Sequence, residues 1–239
     1  MIKLENITKK YGDKELFSDF SAEFEEHKVS CIIGASGVGK TTLINIVAGL
    51  ISPDSGKVIV PSDGELRSSY VFQEPRLLPW LNVHDNLDLV LKNVQKTTDG
   101  HGKSVFYSKE ERAELIKKQL KLVALENYEF SPLSELSGGM VQRVSLCRAF
   151  LYPSNILFLD EPFKEQDTKL KDELYETFFR AYENDNKRRT VLFVTHDISE
   201  ALRLADTICV LAGSPAKIVG KFGKAEFSDD LKAKIKELL

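Results

Sequence analysis

An apolar run, Val29-Ser-Cys-Ile-Ile33, stops at Gly34-Ala-Ser-Gly-Val-Gly-Lys40-Thr41, and helical spacing follows at once with Leu43, Ile46, Val47 and Leu50. A short, continuously apolar run is what a strand covered on both faces of a sheet requires. Strand, glycine loop and helix in immediate succession therefore restrict the chain to α/β architectures. The spacing G-x-x-x-x-G-K-[ST] is that of a loop shaped to hold polyphosphate. Its glycines let the backbone approach closely with N–H groups turned inward, and the following helix adds its positive end. In such a loop Lys40 neutralises β- and γ-phosphate charge, and the Thr41 hydroxyl joins a magnesium shell.

The rest of the chain extends the same pattern. Ile2 and Leu4 alternate with Lys3 and Glu5, and Leu16, Phe20 and Phe24 continue a β-like series up to the charged turn Glu25-Glu26-His27-Lys28. An N-terminal antiparallel region is the expected result. Ser52-Pro53-Asp54-Ser55-Gly56 ends the first helix. Residues 76–150 lean helical, most clearly Glu110–Leu125, whereas the polar stretch Lys96–Ser104 reads as a loop. Apolar runs return at Ile156–Asp160, Val191–Thr195 and Ile208–Leu211, separated by helical patterns over Leu170–Tyr182 and Ile198–Leu204. Buried strands alternating with helices predict a mostly parallel sheet with right-handed crossovers. Leu231, Ile235 and Leu238 predict a closing amphipathic helix. The expectation is one domain over 1–239, with a core from 1–75 and 151–239 and a helical subdomain at 76–150.

Composition sets limits on this picture. With 33 Lys+Arg against 36 Asp+Glu the formal charge is −3, which gives no bulk electrostatic attraction to nucleic acid. Cys31, Cys147 and Cys209 are widely spaced and sit among apolar residues, as buried thiols do, rather than in metal or disulfide spacing. The charged N-terminus does not read as a signal peptide, and no run approaches the ~18 apolar residues of a membrane span. The reading is a protein of a reducing compartment that reaches a membrane only by recruitment.

Two further motifs carry chemistry. Ile156-Leu-Phe-Leu-Asp160-Glu161 places Asp160 at the carboxyl end of a buried strand, where parallel α/β sheets present ligand groups. A carboxylate there holds Mg²⁺ through water, and Glu161, one residue on, is set to orient or deprotonate a water near the γ-phosphate. At Leu136-Ser137-Gly138-Gly139 a glycine pair opens a helix, Val141–Leu151. A serine cap explains Ser137 but not two residues of poor helix propensity, so a second anion site, serving another molecule's nucleotide, is indicated.

Phosphate loop, Leu-Ser-Gly-Gly with Ser137 lying 23 residues before Asp160, Asp160-Glu161-Pro162 and Thr195-His196-Asp197 follow one another in the order found in ABC-type ATPases. Over nearly its whole length the chain resembles the nucleotide-binding subunit of a bacterial ABC transporter. That resemblance implies ATP and Mg²⁺ as cofactors, with Gly34, Ser36, Gly37, Gly39, Lys40, Thr41 and Thr42 on the phosphates. It implies Tyr11 stacked on adenine, Gln73 touching magnesium and the attacking water, and His196 on the γ-phosphate. Ser137, Gly138 and Gly139 then face the ATP of an opposing subunit in a head-to-tail homodimer. Integral-membrane permease subunits are the implied partners, with an extracytoplasmic solute-binding protein acting indirectly.

Val71-Phe-Gln73-Glu-Pro-Arg-Leu-Leu-Pro-Trp80, followed by Asp85-Asn86-Leu87, is similar to the nitrate, sulfonate and taurine class of importers, as is Glu161-Pro162-Phe163. Leu77, Leu78, Pro79 and Trp80 form an apolar cluster that serves either to dock a membrane subunit or to pack the helical insert. Met140 replaces a common glutamine, and Lys164-Glu165-Gln166 replaces the family's usual Ser-Ala-Leu before Asp167. The expected activity is ATP hydrolysis powering solute import at the cytoplasmic face of the membrane. The alternative is a soluble ABC-type ATPase acting on nucleic acid, ribosome or protein. Such proteins tend to carry long coiled coils or paired ATPase units, and neither pattern occurs in this sequence. From the chain length no appended regulatory domain is expected.

Overall fold

A computed structural model describes residues 1–60, 67–92, 94–98, 104–164, 167–185 and 189–239. In chain order the strands are β1 (Ile2–Tyr11), β2 (Lys14–Phe24), β3 (Val29–Gly34), β4 (Ser55–Ile59), β5 (Ser68–Val71), β6 (Gln95–Thr98), β7 (Ser104–Phe106), β8 (Ile156–Asp160), β9 (Thr190–Thr195), β10 (Thr207–Ala212) and β11 (Lys217–Gly223). The helices are α1 (Lys40–Val47), α2 (Val83–Leu91), α3 (Lys109–Leu122), α4 (Gly138–Leu151), α5 (Thr168–Glu183), α6 (Ile198–Leu204) and α7 (Asp229–Leu238). Two compact units contain them: Met1–Ser68 with Asn155–Glu161 and Arg189–Leu239, and Ser69–Ser154 with Pro162–Arg188. The unit holding α2–α4 thus also takes in α5, beyond the 76–150 read from sequence, because α4 and α5 pack on each other.

In the first unit the core strands lie in the order β11-β10-β3-β9-β8. β3 pairs in parallel with both β9 (Val29↔Val191) and β10 (Ser30↔Thr207), and β8 pairs in parallel with β9 (Ile156↔Thr190). Every residue of β3, β8 and β9 is buried, which is why these runs carry no polar alternation. The second sheet is antiparallel, ordered β2-β1-β4. Alternation along β1 slips by one residue between Leu4 and Ile7, where Asn6 adopts φ +52° and its N–H donates to Ser21 Oγ at 3.0 Å. That bulge keeps Ile2, Leu4 and Ile7 all on the buried side. The antiparallel start, the parallel core and α7 match the sequence expectation.

The second unit is built on a separate apolar core. Val83, Leu87 and Leu91 of α2 meet Ile116 and Leu120 of α3 and Val144 and Cys147 of α4. Each helix start is chemically marked: Asn82 caps α2, Ser108 with Glu111 forms a capping box on α3, and Asp167 caps α5. The stretch Lys96–Ser104, read as a loop, is instead flanked by a hairpin, with Gln95↔Phe106 and Thr97↔Val105 paired. Pairing between two short segments, which no alternation within either one announces, is what makes them strands. Residues 99–103 lie outside the described residues. All three cysteines are buried thiols; burial pushes Cys209 up to about 11 and Cys31 well above the usual thiol range. No helix among the described residues is long and apolar enough to cross a membrane.

Candidate functional site

The phosphate loop hangs between β3 and α1, and its glycines are dictated by space as well as by turn geometry. A Cβ at Gly34 would stand 2.6 Å from the Leu211 carbonyl oxygen. Gly39, which precedes α1, has φ +110°, a conformation side chains rarely adopt. Lys40 is the first residue of α1 and only 5% exposed. Its Nζ donates to the carbonyls of Gly34 at 2.9 Å and Ala35 at 3.1 Å, and it stands 3.8 Å from Glu161 Oε1. The ammonium is thus held at the mouth of the loop by the loop itself.

Thr41 Oγ1 donates to Asp160 Oδ1 at 2.9 Å, joining the loop to the end of β8. The next residue, Glu161, sits at φ +44°, and its N–H donates to the Val194 carbonyl at 3.0 Å. A non-glycine residue in that region is held there by its surroundings, and such strain concentrates at functional sites. Glu161 Oε2 lies 3.2 Å from His196 Nδ1. One carboxylate therefore stands between an ammonium and an imidazole. Gly34, Lys40, Thr41, Asp160, Glu161 and His196 are brought together by the termini of four adjacent elements, β3, α1, β8 and β9. Ser36 and Gly37 are exposed on the loop and Thr42 is half-buried behind it.

Tyr11, at the end of β1, is 51% exposed. Lys9 Nζ stands 5.6 Å from the centre of its ring and is itself fixed by Asp54 Oδ1 and the Ser52 carbonyl, each at 2.9 Å. The ring is an exposed aromatic face braced from one side.

Gln73 and Ser137–Gly139 belong to the second unit. Ser137 Oγ accepts the Met140 N–H at 3.3 Å and caps α4. Gly139 is buried, and a Cβ there would stand 2.4 Å from Leu170 Cδ1. At Gly138 a Cβ would meet nothing within 4 Å. The first glycine is thus not required by packing, whereas the second is.

The segment after Gln73 is fastened from behind by residues to which the sequence alone gives no role. Asn86, buried in α2, accepts the Leu78 N–H at 2.8 Å and donates to the carbonyls of Leu78 and Asn82 at 3.1 and 3.0 Å. Arg148 of α4 donates to the carbonyls of Arg76 and Pro75 at 2.9 and 3.0 Å. An asparagine inside a helix immediately after a Pro-containing segment was the available signal. Of the two uses offered for the apolar cluster, Leu77 takes the packing one, lying against the α2–α4 core. Trp80 does not: it is 75% exposed. Phe130, 69% exposed, stacks on His84 at 5.2 Å, and Asn82 bridges Pro132, so the two aromatic-bearing segments run side by side.

A phosphate loop on a parallel sheet, with a carboxylate pair at the end of the next strand but one, defines a phosphate-loop nucleoside triphosphatase. The chain belongs to the ABC transporter family, whose sequence model matches residues 17–164. It is 36% identical to an aliphatic sulfonates import ATP-binding protein of Bacillus cereus, over 89% of this chain and 80% of the relative. It is also 36% identical to a nitrate import ATP-binding protein of Synechococcus elongatus, over 88% of this chain and 74% of the relative. Among solved structures, a dimeric ATP-binding cassette in a post-hydrolysis state bound to ADP and Pi superposes with a TM-score of 0.76. It is 27% identical and covers 95% of this chain and all of that one. The protein is an ABC ATPase that hydrolyses ATP.

Proposed function

We propose that this ATPase is the energy-supplying subunit of an importer for a small anionic solute of the sulfonate or nitrate type. The observation that carries the solute class is the likeness, over nearly nine-tenths of the chain, to import ATP-binding proteins of those two kinds. Within the site, Lys40 and the loop N–H groups bind the β- and γ-phosphates, and Tyr11 offers its exposed ring to adenine. Glu161 takes a proton from a water as the water oxygen attacks the γ-phosphorus. The bond from that phosphorus to the bridging oxygen breaks, and ADP and inorganic phosphate result. His196 donates to the γ-phosphate oxygens as they gain charge.

The donor set fits Mg²⁺. Thr41 and Asp160 present hard oxygens already in contact with each other, and together with phosphate oxygens and water they would hold the ion in the all-oxygen surroundings it prefers. Gln73 is the third residue assigned to it. When bound, the ion offsets phosphate charge. No cluster of three or more acidic, His or Cys groups occurs among the described residues, in keeping with a metal held largely by its nucleotide rather than by a protein cage.

Ser137, Gly138 and Gly139 complete the site of a second copy, so that two chains close head to tail on two ATP molecules. A glycine that packing does not require at the mouth of α4 supports that use. Trp80 and Phe130 supply an exposed aromatic anchor for the cytoplasmic face of a permease, which places the protein at the membrane by recruitment.

Two measurements test this reading. Reconstituted with a cognate permease, the chain should show ATPase activity stimulated by sulfonate or nitrate presented with the matching binding protein. Absence of stimulation by either class refutes the solute assignment. Trp80→Ala should weaken association with the permease by about 30-fold, a hot-spot loss of about 2 kcal/mol, and leave ATP affinity unchanged. Undiminished co-purification removes Trp80 from the interface.

A further inference from the structure

His196 is 53% exposed, so packing of its own ring does not fix it against Glu161. The residues on either side of it are tied down instead. Thr195, at the buried end of β9, donates its hydroxyl to Glu200 Oε2, and Thr195 Oγ1 itself accepts the Asp197 N–H at 3.0 Å. Asp197 Oδ1 then accepts the N–H groups of Ser199 at 2.9 Å and Glu200 at 3.3 Å, which caps α6. Glu200 is buried, and a carboxylate is expensive to bury unless its hydrogen bonds are used. Directly upstream, the Val194 carbonyl holds the Glu161 N–H. Both partners of the Glu161–His196 contact are therefore suspended from residues 194–196.

We infer that Glu200, acting through the Thr195 hydroxyl, is a positioning residue that sets His196 against Glu161. Site groups lose effectiveness when their supporting hydrogen bonds are removed, because geometry loosens before binding fails. The inference rests on the reading of His196 as the γ-phosphate contact. A purely structural role for Glu200, fastening the first turn of α6 to the end of β9, would lower stability without singling out turnover.

The test compares steady-state ATPase kinetics of the full chain with Thr195→Val, Thr195→Ser, Glu200→Gln and His196→Ala, together with the Thr195→Val/His196→Ala double variant. Thr195→Val should lower kcat about tenfold and leave KM for ATP within about twofold, whereas Thr195→Ser, which keeps the hydroxyl, retains turnover. The double variant should be no slower than His196→Ala, since the clamp acts through the histidine. Should Thr195→Val fold poorly, the near-isosteric Glu200→Gln serves in its place, with a fall in kcat at unchanged KM expected. Wild-type kcat in the Thr195 and Glu200 variants, or additive loss in the double variant, overturns the inference while the role of His196 stands. Wild-type turnover in His196→Ala overturns both.

Discussion

Glu161→Gln should lower ATP turnover by about 100- to 1,000-fold while ATP affinity stays within a few-fold of wild type. Glutamine keeps the size of the side chain and the backbone bond to Val194 that holds residue 161 at φ +44°. What it loses is basicity, which positioning alone cannot replace. Lys40 gives up one anionic neighbour at 3.8 Å, which if anything frees its charge for phosphate. With binding intact and hydrolysis blocked, the nucleotide-bound dimer should accumulate and be visible by light scattering on addition of ATP. The rate is read in a phosphate-release assay. A rate within tenfold of wild type would remove Glu161 from the base role.

Lys40→Ala should weaken ATP binding by about 100-fold, equivalent to about 3 kcal/mol for a buried, charge-assisted contact. The effect has two sources. The phosphates lose their buried ammonium, and the Gly34 and Ala35 carbonyls lose the donor that closes the loop around it. Lys40→Arg should not restore affinity, because a planar fork cannot replace a compact ammonium among two carbonyls and a carboxylate. Calorimetric titration of ATP is the check. Affinity within threefold of wild type would show that the loop N–H groups alone hold the triphosphate.

Much of this site was legible because its signals are local. The loop needs its glycines at fixed offsets from Lys40, and the apolar run before it has to be a covered strand. Ile156–Asp160 followed by Glu161 was readable for the same reason. What escaped depends on contacts distant in sequence. β4 is mostly exposed and β5 only four residues long, and β4 is a strand because it pairs with β1 about 50 residues earlier. The left-handed backbone of Glu161 carries no signal in a residue type that ordinarily avoids it. Asn86 stood in a recognisable segment, yet its function is to tie off carbonyls of a loop that periodicity cannot orient. Trp80 could face either way on sequence alone; only the fold shows that Leu77 turns inward while Trp80 does not.

In the proposed head-to-tail dimer each ATP site is completed by the signature helix of a second chain. Mixing two silent variants tests that sharing. Lys40→Ala removes the phosphate loop's charge, and Gly138→Asp places a carboxylate at the start of α4, where a Cβ meets nothing of its own chain. A head-to-tail pair of the two variants contains one site with an intact loop from one chain and an intact signature from the other. ATPase activity should therefore return on equimolar mixing, although each variant alone is inactive. A mixture as silent as its components, or full activity of Gly138→Asp on its own, would contradict the shared site.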